Sequence, residues 1–186
     1  MLDSEILVNS PAVVSAFFCC HRCPSAPKWS KIKDNRMAAR FIVRRVRARD
    51  LDRILEIEHA SFGKDAYDRK LFADFSDKCG DLFLVAVGAN KLWGYIVTCA
   101  RGDIAELVSV ATHPDVRREG VASRLLESTL RRLRRRGIRR FSLMVRTTNR
   151  RARAFYEKYG FEKERLVRGY YREGTDGVRM VRLLEP

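Results

Sequence analysis

Lysine is scarce in this chain, with 9 Lys against 29 Arg in 186 residues. Long hydrophobic runs are missing as well. The apolar stretch at residues 11–20 falls short of the roughly 20 residues that cross a bilayer, so no membrane partner is expected. A secretory leader opens on basic residues, and here Asp3 and Glu5 occupy that place. The five cysteines (Cys19, Cys20, Cys23, Cys79 and Cys99) are odd in number and irregularly spaced. That excludes a regular disulfide framework and predicts reduced thiols in a cytoplasmic protein. The Cys19-Cys20-His21-Arg22-Cys23 cluster lacks a second spaced pair, so no metal site is expected. Gly-x-Gly-x-x-Gly is absent, and no Gly-Lys-Ser/Thr occurs. Dinucleotide and Walker-type phosphate loops are thereby excluded.

Positive charge is abundant instead. The net charge is +15, and residues 115–153 hold fourteen Arg, no Lys and three acids, Asp115, Glu119 and Glu127. Such a field attracts polyanions: a phosphorylated cofactor, RNA or an acidic protein. A plain solvated helix face would carry the same signature. The length and the 46% hydrophobic content suit one domain with a substantial core.

Residues 1–39 read as an N-terminal extension, either disordered or the product of a misassigned start. Three of the five prolines fall there, no periodic pattern persists, and Met37 just precedes the first clear strand. Residues 40–186 form the domain. Strands are expected at 41–46, 82–87, 91–99, 105–112, 141–145, 163–168 and 178–184. Asp50 is placed to cap a first helix with Leu51, Ile54, Leu55 and Glu58 on one side. A short helix follows at 67–75. A long one at 118–136 carries the stripe Ala122, Leu125, Leu126, Thr129, Leu130 and Leu133, ended by Gly137. Asn149 caps the last helix, which ends at Tyr159.

The most telling segment is 108–120. A strand-like run turns at His113-Pro114 and delivers Arg117-Arg118-Glu119-Gly120-Val121-Ala122 to a helix start. Helix N-termini present unpaired amides and a favourable dipole to anions. Small residues let the backbone approach a pyrophosphate, and the arginines add charge. Arg-x-x-Gly-x-Ala at this place resembles the acetyl-CoA motif of the GNAT superfamily of N-acetyltransferases. Downstream, Asn149-Arg-Arg-Ala152, then Tyr156, then Gly160-Phe161 is similar to a second signature of that superfamily. Gly169-Tyr170-Tyr171 with Asp176-Gly177 resembles the C-terminal hairpin of its RimI-like branch, which acetylates protein N-termini. The resemblance covers roughly residues 41–184.

It implies an α/β fold with a mixed sheet, about seven strands and about four helices, and acetyl-CoA as co-substrate without a metal. It also implies site residues. Backbone groups of Val110, Ala111 and Thr112 would hold the acetyl and pantetheine. Arg117, Arg118, Glu119, Gly120, Val121 and Ala122 would take the pyrophosphate, and Asn149 would reach the pantetheine arm. Tyr156 would protonate the leaving sulfur, which demands good placement because a phenol titrates near 10 and a thiol near 8.5. Phe62, Tyr170 and Tyr171 would wall the acceptor cleft.

The general base departs from the pattern. RimI-like enzymes carry Glu two residues before the Arg of Leu-Glu-Val-Arg, and this chain reads Leu143-Met144-Val145-Arg146. Glu106, on the preceding strand, is the replacement candidate: as a base through water, as an amine anchor, or as an ion-pair partner. His113 sits in a His-Pro turn and reads as structural. Glu58 and His59 would reach the substrate side only if the first helix is suitably placed. A weak base is tolerable for one acceptor class. An α-amine near pKa 8 is about 10% neutral at pH 7, a deficit of roughly 1.4 kcal/mol, while a lysine near 10.4 is short by about 4.6 kcal/mol. The expected function is therefore transfer of acetyl to a protein N-terminus. On the resemblance to the bacterial branch this is a ribosomal protein, met as a monomer or homodimer with weak contact to ribosomal RNA. Small-amine or lysine acetylation is the alternative within the class, and a non-catalytic acyl-CoA module holding RNA is the rival outside it.

Overall fold

The computed structural model describes residues 41–185. The extension at 1–39, with Met37 as the expected start and Cys19, Cys20 and Cys23, lies outside the described residues. Seven strands form one sheet in the order β1-β2-β3-β4-β5-β7-β6. They are β1 (Ile42–Arg45), β2 (Phe83–Gly88), β3 (Lys91–Arg101), β4 (Ile104–Thr112), β5 (Arg140–Arg146), β6 (Glu162–Val167) and β7 (Gly177–Leu183). Every neighbouring pair is antiparallel except β4 with β5. The helices are α1 (Leu51–Phe62), α2 (Arg69–Cys79), α3 (Val121–Arg135) and α4 (Arg150–Lys158).

Strand alternation sorts the core into two layers. Leu84, Ala86 and Ile96 join a cluster with Leu125, Leu126 and Leu133 of α3 and Ala152 and Tyr156 of α4. Phe83, Val85, Tyr95 and Val97 join the cluster built with Ile54 and Ile57 of α1 and Phe72 and Phe75 of α2. Helices therefore cover both faces of the middle of the sheet. The predicted stripe on α3 is buried at Leu125, Leu126, Thr129, Leu130 and Leu133, joined by Val121 and Ser128, while Ala122 is half-buried.

Local chemistry explains where expectation and structure part. The segment 118–120 stays outside α3, because Arg118 and Gly120 both adopt positive φ, 71° and 81°. Asp50 precedes α1 but does not cap it. Its carboxylate is taken by the Arg44 guanidinium at 2.6 and 2.8 Å and by the Arg47 amide at 2.7 Å. Asp68 instead caps α2 through the Leu71 amide at 2.8 Å, so that helix starts later and runs longer than expected. Asn149 caps α4 as expected, accepting from the Ala152 amide at 3.0 Å.

The cysteines need a correction. Cys79, at the end of α2, and Cys99, on β3, are joined as a disulfide, with their Cα atoms 4.6 Å apart. The two lie 20 residues apart in the chain, and their meeting follows from α2 packing on β3. No count of cysteines could show it.

Two features set up the site. Val97 pairs with Ser109 and Thr98 with Leu107, so Val108 is an extra residue, a bulge in β4. The β4–β5 ladder then runs only from Ile104↔Arg140 to Leu107↔Leu143. Beyond it, residues 109–112 pair with β3 alone and residues 144–146 with β7 alone. Gly94 on β3 lets α3 begin close to this opening. A Cβ there would lie 2.8 Å from the Ala111 carbonyl oxygen and 3.0 Å from Val121 Cγ1. Gly94→Ala is expected to cost about 1–3 kcal/mol by overpacking against backbone. Chemical denaturation checks this, and an unchanged midpoint would show that the start of α3 is free to shift.

Candidate active site

The parted strands leave the β5-facing edge of residues 108–112 without a strand partner among the described residues. Backbone amides and carbonyls on such an edge need partners, and an amide-bearing chain laid between the strands would supply them. Val110, Ala111 and Thr112 lie on this edge, all buried. Next to it, the Arg117–Gly120 turn alternates backbone hand at Arg118 and Gly120. Alternation of that kind gathers successive amides into an anion-binding concavity. The Gly120 Cβ direction meets nothing within 4 Å, so its backbone angle, not crowding, calls for glycine. Asn149, Arg117, Arg118 and Glu119 border the same end of the sheet, and Val121 is buried beneath the turn. The arrangement fits a pyrophosphate carrying an amide-bearing arm, which is the chemistry of acetyl-CoA.

Across the opening stand the ionisable groups. Glu106 is half-buried at the second-last position of the β4–β5 ladder, opposite Ser142. Ala105 and Leu107 join the α3 layer, so alternation turns Glu106 toward the α1–α2 side. Burial pushes its carboxyl above the usual range, opposed by the Arg179 guanidinium. The Tyr170 hydroxyl is pushed up to about 12 by burial and by the charge of Glu106, again opposed by Arg179. Glu106, Tyr170 and Arg179 thus form one electrostatic group. Met144 pairs with Arg179 across the strands and packs against the hairpin. A Cβ on Gly177 would lie 2.6 Å from Met144 Cε and 3.1 Å from Tyr170 Cβ.

Other expected residues are placed differently from one another. Tyr156 is buried in the α3–α4 layer against Phe155 and Phe161, and it interacts electrostatically with Tyr171. Phe62 is buried at the end of α1. Tyr171, expected as a cleft wall, is buried with its ring under the Arg146 guanidinium, 3.9 Å from the centroid. Tyr170, half-buried, is the exposed member of the pair. His113 is structural: its Nδ1 accepts from the Asp115 amide at 3.3 Å and its ring meets Trp93 edge-on. His59 is exposed.

Glu58 is the unexpected group. It is fully buried, accepts from the Tyr67 amide at 3.0 Å and from the Tyr95 hydroxyl, and Tyr95 in turn lies 3.0 Å from the Ser109 hydroxyl. Ser109 follows the Val108 bulge, so this chain ties α1 to β4 beside the opening. Burial raises the Glu58 carboxyl to about 7, with the two hydrogen bonds opposing. Its place on the Leu51–Ile54 side of α1 was the sequence signal: an acid on an apolar stripe.

Comparison with known proteins agrees with this geometry. The Acetyltransferase (GNAT) family model matches residues 49–161, and the chain belongs to that family. It is an acetyl-CoA-dependent N-acetyltransferase. An N-alpha-acetyltransferase of Saccharolobus solfataricus is 31% identical over 157 residues, covering 77% of this chain and 93% of that protein. Among solved structures, Ard1 from Thermoplasma volcanium superposes with a TM-score of 0.75 at 26% identity, covering 79% of this chain and 99% of the other. The ribosomal-protein-S18-alanine N-acetyltransferase from Escherichia coli gives 0.71 at 26% identity, covering 78% and 95%. No helix among the described residues is long and apolar enough to cross a membrane.

The buried Glu58 has a consequence for stability. Its ordinary value is 4.5 and its folded value about 7, so the folded state holds the extra proton between them. Its contribution to stability is therefore greatest below the lower value and falls as pH rises through the interval, by about 3 kcal/mol in all. Glu58→Gln is expected to gain on wild type as pH rises from 4.5 to 7. Urea unfolding across that range checks it, and a constant difference between the two proteins would contradict it.

Proposed function

We propose that this enzyme acetylates the N-terminal α-amine of a protein, with Glu106 as the group that accepts the amine proton. The carrying observation is the electrostatic grouping of Glu106 with Tyr170 and Arg179 at the point where β4 and β5 part. A raised carboxyl is a better proton acceptor than an ordinary one, though still far weaker than a lysine amine. It is matched to an α-amine, which needs little help at neutral pH.

The other residues take the following parts. Val110, Ala111 and Thr112 offer the backbone edge that orients the thioester carbonyl and the pantetheine amides. The turn from Arg117 to Ala122 holds the pyrophosphate, and Asn149 borders the arm while capping α4. Tyr156 supplies a proton to the departing sulfur, supported by its electrostatic link to Tyr171 beside the acceptor hairpin. Phe62 and Tyr170 flank the incoming chain, and Tyr171 supports that wall from below. Bound acetyl-CoA supplies the activated acetyl group. In a chain of net charge +15, the half-buried Glu106 on the α1–α2 side suits an acceptor that arrives as an ammonium.

The name of the Escherichia coli relative, a ribosomal-protein-S18-alanine N-acetyltransferase, supports a ribosomal protein beginning with a small residue such as alanine as the acceptor. The exposed Arg131, Arg134, Arg135 and Arg136 at the end of α3 suit weak contact with ribosomal RNA near that substrate.

Thiol release from acetyl-CoA with short peptides tests the proposal. Free N-termini are expected to be turned over, with Glu106→Gln lowering the rate by about tenfold or more and Tyr156→Phe lowering it comparably. Turnover confined to polyamines, or to lysines in peptides with blocked N-termini, would overturn it in favour of a small-amine or lysine acceptor. Turnover of free N-termini indifferent to Glu106→Gln would remove Glu106 from the role.

A further inference from the structure

We propose that Arg146 is a positioning residue for the acceptor, tying together the two loops that flank the cleft. This rests on the N-terminal acetylation proposed above. Arg146 closes β5, and its guanidinium has three neighbours from two other segments. One is Asp65, at 3.0 Å, in the 3-10 turn that follows α1. Another is Glu173, in the loop between β6 and β7. The third is the ring of Tyr171, which the cation overlies at 3.9 Å.

The side chain chemistry makes this a job for arginine. Its planar fork can serve one carboxylate on each edge while its face lies on an aromatic ring. A lysine ammonium at the same place keeps the charge but cannot span two carboxylates and a ring face. The Asp65 side chain is 18% exposed and that of Arg146 14%, so this pairing is shielded from solvent more than an ordinary surface ion pair, while Glu173 closes the clamp from the exposed side. Neither acid comes from the core of the sheet. Both come from connections that adjoin the acceptor-side residues: Phe62, which ends α1, stands three positions before Asp65, and Tyr170 three before Glu173. Tyr67, beyond Asp65, also interacts electrostatically with Tyr171. With Arg146 in place, the α1–α2 loop and the β6–β7 loop are one unit, and the distance between them is fixed.

The consequence separates acceptor from cofactor. The groups that Arg146 holds, Asp65, Glu173 and the Tyr171 ring, all lie outside the Arg117–Ala122 turn, so loosening it widens the acceptor side and leaves the cofactor side alone. The test measures peptide KM, acetyl-CoA KM and kcat for Arg146→Lys and for Asp65→Asn with Glu173→Gln. Backbone hydrogen exchange at residues 63–68 and 169–176 is followed in the same proteins. Arg146→Lys is expected to raise peptide KM by about tenfold, the loss of one charge-assisted hydrogen bond, with acetyl-CoA KM and kcat little changed. Both loops should exchange faster together, in the double variant as in Arg146→Lys. Equal rises in both KM values with a fall in kcat would mark a general structural role and overturn the proposal, as would exchange quickening in one loop only. If no peptide is turned over by the wild type, the acceptor proposal fails on its own. The exchange data still judge the clamp, and unaltered loops in Arg146→Lys would sink it.

Discussion

Parallel strands stay paired only while their registers agree, and in this protein the agreement ends at Leu107 and Leu143. One extra residue in β4, Val108, changes the twist of that strand, and it parts from β5, which stays paired with β7 along its whole length. The result is an opening in the middle of an otherwise continuous sheet. Backbone groups at such an opening must find partners, and this one need organises the rest of the molecule. The α3 helix starts beside it because Gly94 has no side chain to hold Val121 off. The α4 helix starts beside it because Asn149 caps the chain just after β5 ends. Each brings an N-terminal set of amides to the same end of the sheet.

Charge is divided across the opening, as the two proposed substrates require. The turn at Arg117 and Arg118, with the long arginine-rich α3 behind it, suits an anion. On the other side the acids are paired or buried so that they survive in a strongly basic chain. Arg179 steadies Glu106, Arg146 holds Asp65 and Glu173, and Tyr95 with Tyr67 receives Glu58. Five tyrosines (Tyr67, Tyr95, Tyr156, Tyr170 and Tyr171) link these groups electrostatically. Phenols suit that place because each packs an apolar ring while presenting one hydroxyl to a carboxylate or an amine.

Much of this was legible in the sequence because it depends on local patterns. The α3 stripe, the Asn149 cap, the strands at 82–87 and 91–99 and the loop ahead of α3 each follow from spacing within a few residues. Glu106 stood out for a similar reason, as an acid within an apolar strand. What stayed hidden depends on distant segments meeting. The Val108 bulge is visible only against β3, and the charge of Arg179 acts on Glu106 only because β7 lies beside β5. The Cys79–Cys99 bond and the burial of Tyr171 beneath Arg146 likewise need the fold in hand. Asp50 shows the reverse case: a good local cap signal was overridden by an arginine on the neighbouring strand.

The central claim is that the gap between β4 and β5 is where acetyl-CoA is held. Amide NMR of the labelled protein during a titration with CoA tests it directly. Shifts should concentrate at residues 108–112 and 117–122 and around Asn149, with residues 83–87 of β2 scarcely affected. Shifts centred elsewhere, for instance at the basic concavity lined by Arg44, Arg49, Arg53 and Lys91, would contradict it.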